Sequence, residues 1–128
     1  MKERLLLDSN ILIDLLRDRP QAVAYFESID GTPAVSSITV AELYAGVREG
    51  NERGFLDQFM LGLDVIAVTF EIAKLGGLFR RKYLRSHQLD VVDALIAATA
   101  ETERATLVTL NRKHFPMFSN LIVPYERS

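Results

Sequence analysis

The 128-residue chain contains no cysteine. That absence excludes disulfides and thiolate metal sites. Any metal centre must therefore use oxygen ligands and at most the two histidines present. The same absence fits a cytosolic protein. No apolar stretch approaches the length that spans a bilayer, so no membrane partner is expected. The opening "MKERLLLDSN" has a basic start but only three leucines before an aspartate, too little for a signal peptide. No low-complexity tract, repeat or linker interrupts the chain, which predicts one domain over residues 1–128. No glycine-rich phosphate loop and no G-x-S-x-G elbow occurs. The formal net charge of −2 gives no general attraction for nucleic acid.

What is present is a chain 48% hydrophobic, enough for a sizeable core. Apolar runs and β-branched residues predict strands at 4–7, 34–37, 64–68, 105–110 and 120–125. Helical periodicity predicts helices at 10–17, 20–28, 40–49, 53–61, 71–87 and 91–103. Gly50 and Gly62 are expected to close the third and fourth of these helices. Gly76 and Gly77 sit inside the fifth, each costing roughly 1 kcal/mol relative to alanine, which a close helix contact would explain. Strands alternating with helices predict an α/β fold with a parallel sheet covered on both faces. Ligands of such sheets bind outside the carboxyl ends of the strands.

Four polar residues abut apolar runs at that edge: Asp8 in "LLLDSN", Glu42 in "SITVAELYAG", Asp93 in "DVVDALIAATA" and Asn111 after "LVTL". Each has a structural explanation of its own. Asp8 can cap the helix that follows, although Ser9 and Asn10 are equally good caps. Glu42 lies three residues after Thr39, the spacing of a capping box. Asp93 lies three after Asp90, so Asp90 reads as the cap and Asp93 as a first-turn acid. Asn111 suits a turn.

Taken together they suggest chemistry. Carboxylates gathered at one sheet edge repel one another, and their pKa values rise unless a cation intervenes. With hard oxygens as the ligands on offer, Mg²⁺ or Mn²⁺ fits better than Zn²⁺. The natural reaction class is phosphodiester hydrolysis. His87 and His114 show no ligand spacing and read as surface or interface residues.

The segments "LLLDSNILIDLL", "SSITVAELYAGV", "VVDALIAATA" and "TLVTLNRKHFP" occur in that order. Together they resemble the PIN-domain ribonucleases, specifically the VapC-type toxins of toxin–antitoxin pairs, over residues 5–125. The resemblance implies a three-layer α/β/α sandwich with a central parallel sheet of four to five strands. It implies a cytoplasmic, Mg²⁺- or Mn²⁺-dependent endoribonuclease. The family's acids fall on Asp8, Glu42 and Asp93, with the metal held chiefly by Asp8 and Asp93. Glu42 then acts through a water or orients the nucleophile. Many PIN domains carry a fourth acid where this chain has Asn111, which offers a carbonyl oxygen but no charge. Ser9 and Thr109 are expected to support the site by hydrogen bonding. The resemblance further implies a homodimer and an antitoxin whose C-terminal segment covers the acidic cleft. Leu15, Leu16, Tyr25 and Phe26 either offer that segment a groove or pack into the core.

The stretch "FRRKYLRSH" carries Arg80, Arg81, Lys82 and Arg85, and Arg112 and Lys113 follow Asn111. These cations read either as solvated surface or as a phosphate track that brings RNA to a negative site. Other functions compatible with parts of the pattern are RNA maturation or decay without an antitoxin and a non-catalytic acidic-pocket signalling or binding domain. A receiver-like signalling domain needs an aspartate after the third strand and a lysine after the last. Thr69 with Phe70, and Tyr125, stand there instead.

Overall fold

Four short strands form one parallel sheet: β1 (Leu5–Leu7), β2 (Ala34–Ser36), β3 (Asp64–Ile66) and β4 (Thr106–Val108). Their order across the sheet is β3-β2-β1-β4. The computed structural model describes residues 3–127. Six α-helices accompany the strands: α1 (Ser9–Leu16), α2 (Pro20–Ser28), α3 (Ser37–Gly46), α4 (Asn51–Met60), α5 (Phe70–His87) and α6 (Val91–Glu103). A 3-10 turn, Arg112–His114, follows β4.

The three layers follow from side-chain alternation along the strands. Leu6 is in register with Ala34 and Leu107. These three pack with Ile96, Ala97 and Ala100 of α6 and with Phe115. Leu7 and its register partner Val108 point to the opposite face. There they join Val35, Ile11, Leu12, Leu43 and Leu56. Both faces of the central strands are thus sealed, which is why they read as unbroken apolar runs. Leu15 is in the core, and Leu16, Tyr25 and Phe26 pack partly buried beside the second cluster.

Several boundaries differ from expectation for identifiable reasons. Residues 120–125 do not form a fifth strand; a single parallel bridge joins Ile122 to Val108. Helix α3 begins at Ser37, because the Ser36 hydroxyl accepts from the Ile38 amide and caps it at the strand end. The anticipated Thr39–Glu42 capping box therefore does not exist, and Glu42 stands inside the helix. Thr39 is buried, and its hydroxyl finds no hydrogen-bond partner among the described residues. Gly50 opens α4 instead of closing α3, with φ 98°. At Gly76 a Cβ would come within 2.9 Å of Leu95 Cδ2 and 3.4 Å of the Ala94 carbonyl oxygen, so α5 packs closely on α6 at this glycine and any larger residue would displace the Leu95 side chain. A Cβ at Gly77 would meet nothing, and the structure gives no reason for that second glycine. Among the described residues no helix is long and apolar enough to cross a membrane.

Candidate active site

Strand β1 has β2 on one side and β4 on the other, so the connections leaving its two neighbours part at its carboxyl end. That is where α/β sheets open a crevice. Asp8 is the first residue past β1, and its amide donates to the Val108 carbonyl at 2.9 Å. Its side chain is 4% exposed. Carboxylate Oδ1 accepts from the Ser9 amide at 2.8 Å, so Asp8 does cap α1. The other oxygen, Oδ2, accepts from the Thr109 hydroxyl at 2.7 Å. Thr109 lies just beyond β4, one register step past Val108, which explains how residues 101 apart in sequence meet.

Asn10 ties this corner together. Its Nδ2 donates to Thr109 Oγ1 at 3.3 Å, and its Oδ1 accepts from the Leu110 amide at 3.3 Å. The Thr109 hydroxyl also accepts from the Asn111 amide at 3.0 Å. The turn after β4 is thereby locked onto the start of α1. Asn111 itself is exposed and precedes the 3-10 turn.

Asp93 enters from the first turn of α6. Asp90 caps that helix, its Oδ1 accepting from the Asp93 amide at 2.7 Å. Asp93 Oδ2 lies 3.0 Å from His114 Nδ1. Sequence reasoning singles out neither His114 nor Asn10 as a site residue. His114 is carried in by the 3-10 turn, 21 residues from Asp93, and its place in "NRKHFP" three residues after Asn111 is the sequence signal for it.

The electrostatics connect these groups. Burial raises the Asp8 pKa first; the hydrogen bonds from Thr109 and Ser9 and the charge of His114 oppose this, while Asp90 adds to it. Burial also leads at Asp93, followed by the charges of Asp90 and Asp8, and together they push it up to about 6 despite His114. Glu42 stands on the exposed flank of α3, yet neighbouring atoms crowd its carboxyl. That partial desolvation raises its pKa first, and the charges of Asp8, Asp93 and Asp90 raise it further. Asp8, Glu42 and Asp93 thus share one field, and Asp90 belongs to it as well as capping α6. Among the described residues no lysine or arginine forms an ion pair with any of the four.

Among the described residues no three His, Asp or Glu side chains are arranged as a ready-made ion cage. The carboxylates perturb one another without closing up. The donor set is nonetheless all hard oxygen, negative and mutually repelling, which fits a divalent cation of the Mg²⁺ or Mn²⁺ type.

A family model described as PIN domain matches residues 5–119. The chain belongs to the PIN domain family. This PIN domain is 41% identical to Ribonuclease VapC19 of Mycobacterium tuberculosis over 124 residues, covering 94% of this chain and 98% of that one. It is 39% identical to Ribonuclease VapC10 of the same organism, covering 94% and 92%. Among solved structures, a toxin–antitoxin complex from Klebsiella pneumoniae aligns with TM-score 0.84 at 30% identity, over 96% of this chain and 99% of that one. VapBC2 from Rickettsia felis, bound to a DNA fragment from its promoter, aligns with TM-score 0.74 at 31% identity, over 92% and 95%. The expected α/β/α architecture agrees with these neighbours.

The basic residues are less uniform than their sequence pattern suggests. Arg81 and Arg85 are exposed on α5, and Arg112 on the 3-10 turn. Arg80 is half-buried, and its Nε has no hydrogen-bond partner among the described residues.

Proposed function

We propose that this PIN domain is a divalent-metal-dependent endoribonuclease acting as the toxin of a toxin–antitoxin pair. The observation that carries this reading is buried Asp8, held by the Ser9 amide and the Thr109 hydroxyl with no lysine or arginine paired to it among the described residues, its charge felt by both Asp93 and Glu42. The relatives support the substrate and the partner, since they are named as ribonucleases and toxin–antitoxin complexes.

Asp8 and Asp93 hold the metal, with Glu42 contributing through a water. Bound there, Mg²⁺ or Mn²⁺ supplies Lewis acidity to an attacking water and to the phosphoryl oxygens. The protein's own groups do the rest. Thr109 and the Ser9 amide fix the Asp8 carboxylate from two sides, so its free lone pairs keep one orientation. Ser9 adds a hydroxyl at the rim, and Asn111 a neutral carbonyl where many PIN domains have an acid. Glu42, with its raised pKa and its exposed position, is suited to take a proton from the attacking water. His114 shares the charge on Asp93. Arg81 and Arg85 on α5, Arg80 beside them and Arg112 offset the repulsion between RNA and the acids. A cytoplasmic site of action and a homodimeric assembly complete the reading.

The test is expression of the chain alone in a bacterial host. Wild type is expected to arrest growth and degrade RNA, and Asp8→Asn or Asp93→Asn to restore growth. Equal toxicity of all three would remove the carboxylates from the mechanism.

A further inference from the structure

A cleft of about 730 Å³ lies beside His114, the partner of Asp93. One wall is the turn after β4, with Arg112, Lys113 and His114. The other is the C-terminal segment, with Tyr125, Glu126 and Arg127. Half-buried Leu110 and Val123 form its apolar floor. Asn111 and His114 line it too, so it opens directly onto the Asp93 side of the site.

The C-terminal wall is anchored. Arg127 donates to both oxygens of buried Asp14, through Nη2 at 2.8 Å and Nε at 3.0 Å, and Nη2 also reaches the Asn10 carbonyl at 3.2 Å. The Tyr125 hydroxyl donates to Asp14 at 2.8 Å. Arg127 also borders a smaller hollow lined by Arg17 and Arg19. Arg17 in turn lines the groove that holds Glu42. A band of cations therefore runs from Lys113 and Arg112, across Arg127, to Arg19 and Arg17, and reaches the groove that holds Glu42. Arg127 and Asp14 neutralise each other. The other four form no ion pair among the described residues, against Glu126 in the cleft, Glu52 in the groove with Arg17, and Asp18 in the turn between α1 and α2.

We infer that this cleft and its basic band cradle the single-stranded RNA flanking the cleaved bond, with phosphates on Arg112, Lys113, Arg17 and Arg19 and a sugar or base against Tyr125, Leu110 and Val123. The inference rests on the ribonuclease reading. Its physical ground is threefold. The volume suits a bound small group. The floor is apolar and the rim cationic, as a single strand with stacked bases and charged backbone requires. And the band runs from the cleft of His114, the partner of Asp93, to the groove that holds Glu42, so a strand lying along it passes the acids.

The test compares Arg112→Ala/Lys113→Ala and Arg17→Ala/Arg19→Ala with wild type on a short labelled single-stranded RNA. The first pair is expected to raise KM roughly tenfold with kcat within about twofold. It should also flatten the salt dependence of binding by about 0.7 for each phosphate that no longer meets a cation. The second pair should act in the same direction and less. Thermal unfolding unchanged from wild type establishes that each variant is folded. Unchanged KM and salt slope in both pairs, with wild type cutting RNA, overturns the inference. Should wild type cut no RNA, the nuclease reading fails by itself. Binding of the same RNA to Asp8→Asn then decides the cleft, tenfold weakening by the Arg112/Lys113 pair supporting it and unchanged affinity overturning it.

Discussion

Asp8 and Asp14 lie six residues apart, at the cap and in the body of α1, and each is 4% exposed. Their fates are opposite. At Asp14, burial pushes the pKa up, but Arg127 and Tyr125 hydrogen bonds and the charges of Arg127 and Arg19 outweigh it, and the result is lowered. At Asp8, burial wins over two hydrogen bonds from neutral donors, and the result is raised. The difference is the Arg127 guanidinium, helped by Tyr125 and Arg19, set against the deeper desolvation of Asp8. A buried carboxylate with a cation is a clasp that holds the C-terminal segment to α1. A buried carboxylate without one is a charge left for something else to neutralise.

Substitution should separate the two most sharply. Asp14→Ala strands the Arg127 guanidinium and the Tyr125 hydroxyl, and is expected to lower stability by about 2–3 kcal/mol in denaturant unfolding. Asp8→Asn keeps an acceptor for the Ser9 amide and sheds the unpaired charge, so stability should stay level or rise. Equal losses at the two positions would erase the distinction between clasp and open site.

Proton linkage gives a second, smaller contrast. An acid whose folded pKa is raised binds protons more readily folded than unfolded, so stability falls as pH rises through its window. For Asp93 that window runs from its ordinary value of 3.8 to about 6. Stability without added metal is therefore expected to increase as pH drops from 7 to 5, on the order of 1–2 kcal/mol, and Asp93→Asn should flatten the rise. Asp14 works the other way. Its lowered pKa contributes stability above the unfolded value, and that contribution is lost as pH falls below about 4. The finest test is Tyr125→Phe. It removes one hydrogen bond to Asp14 and should cost about 1 kcal/mol with RNA cleavage retained.

Much of this was legible in the chain. Helix α6 runs from Val91 to Glu103 as its apolar body predicts, and Asp90 caps it as its spacing from Asp93 suggests. The parallel sheet follows from apolar strands alternating with helices. The position of Asp8 follows from β1 ending where its polar residue begins, whereas Thr109, read as part of a strand over 105–110, lies just past the end of β4 at Val108. What stayed hidden depends on distance or competition. Two good caps, Ser36 and Thr39, compete for the start of α3, and only the end of β2 decides for Ser36. The Asp14–Arg127 pair joins residues 113 apart, although an aspartate among the leucines of "NILIDLL" is itself a sign of a buried partner. His114 reaches Asp93 through a three-residue turn that apolar periodicity does not encode.

The central claim is that Asp8 and Asp93 form an acid site that a divalent cation completes. Calorimetric titration with Mn²⁺ at neutral pH tests it directly, using wild type, Asp8→Asn, Asp93→Asn and the surface control Asp57→Asn. Wild type and the control should bind alike, and the two site variants at least about tenfold more weakly, as loss of one charged ligand demands. Affinity unchanged by Asp8→Asn and Asp93→Asn would contradict the account.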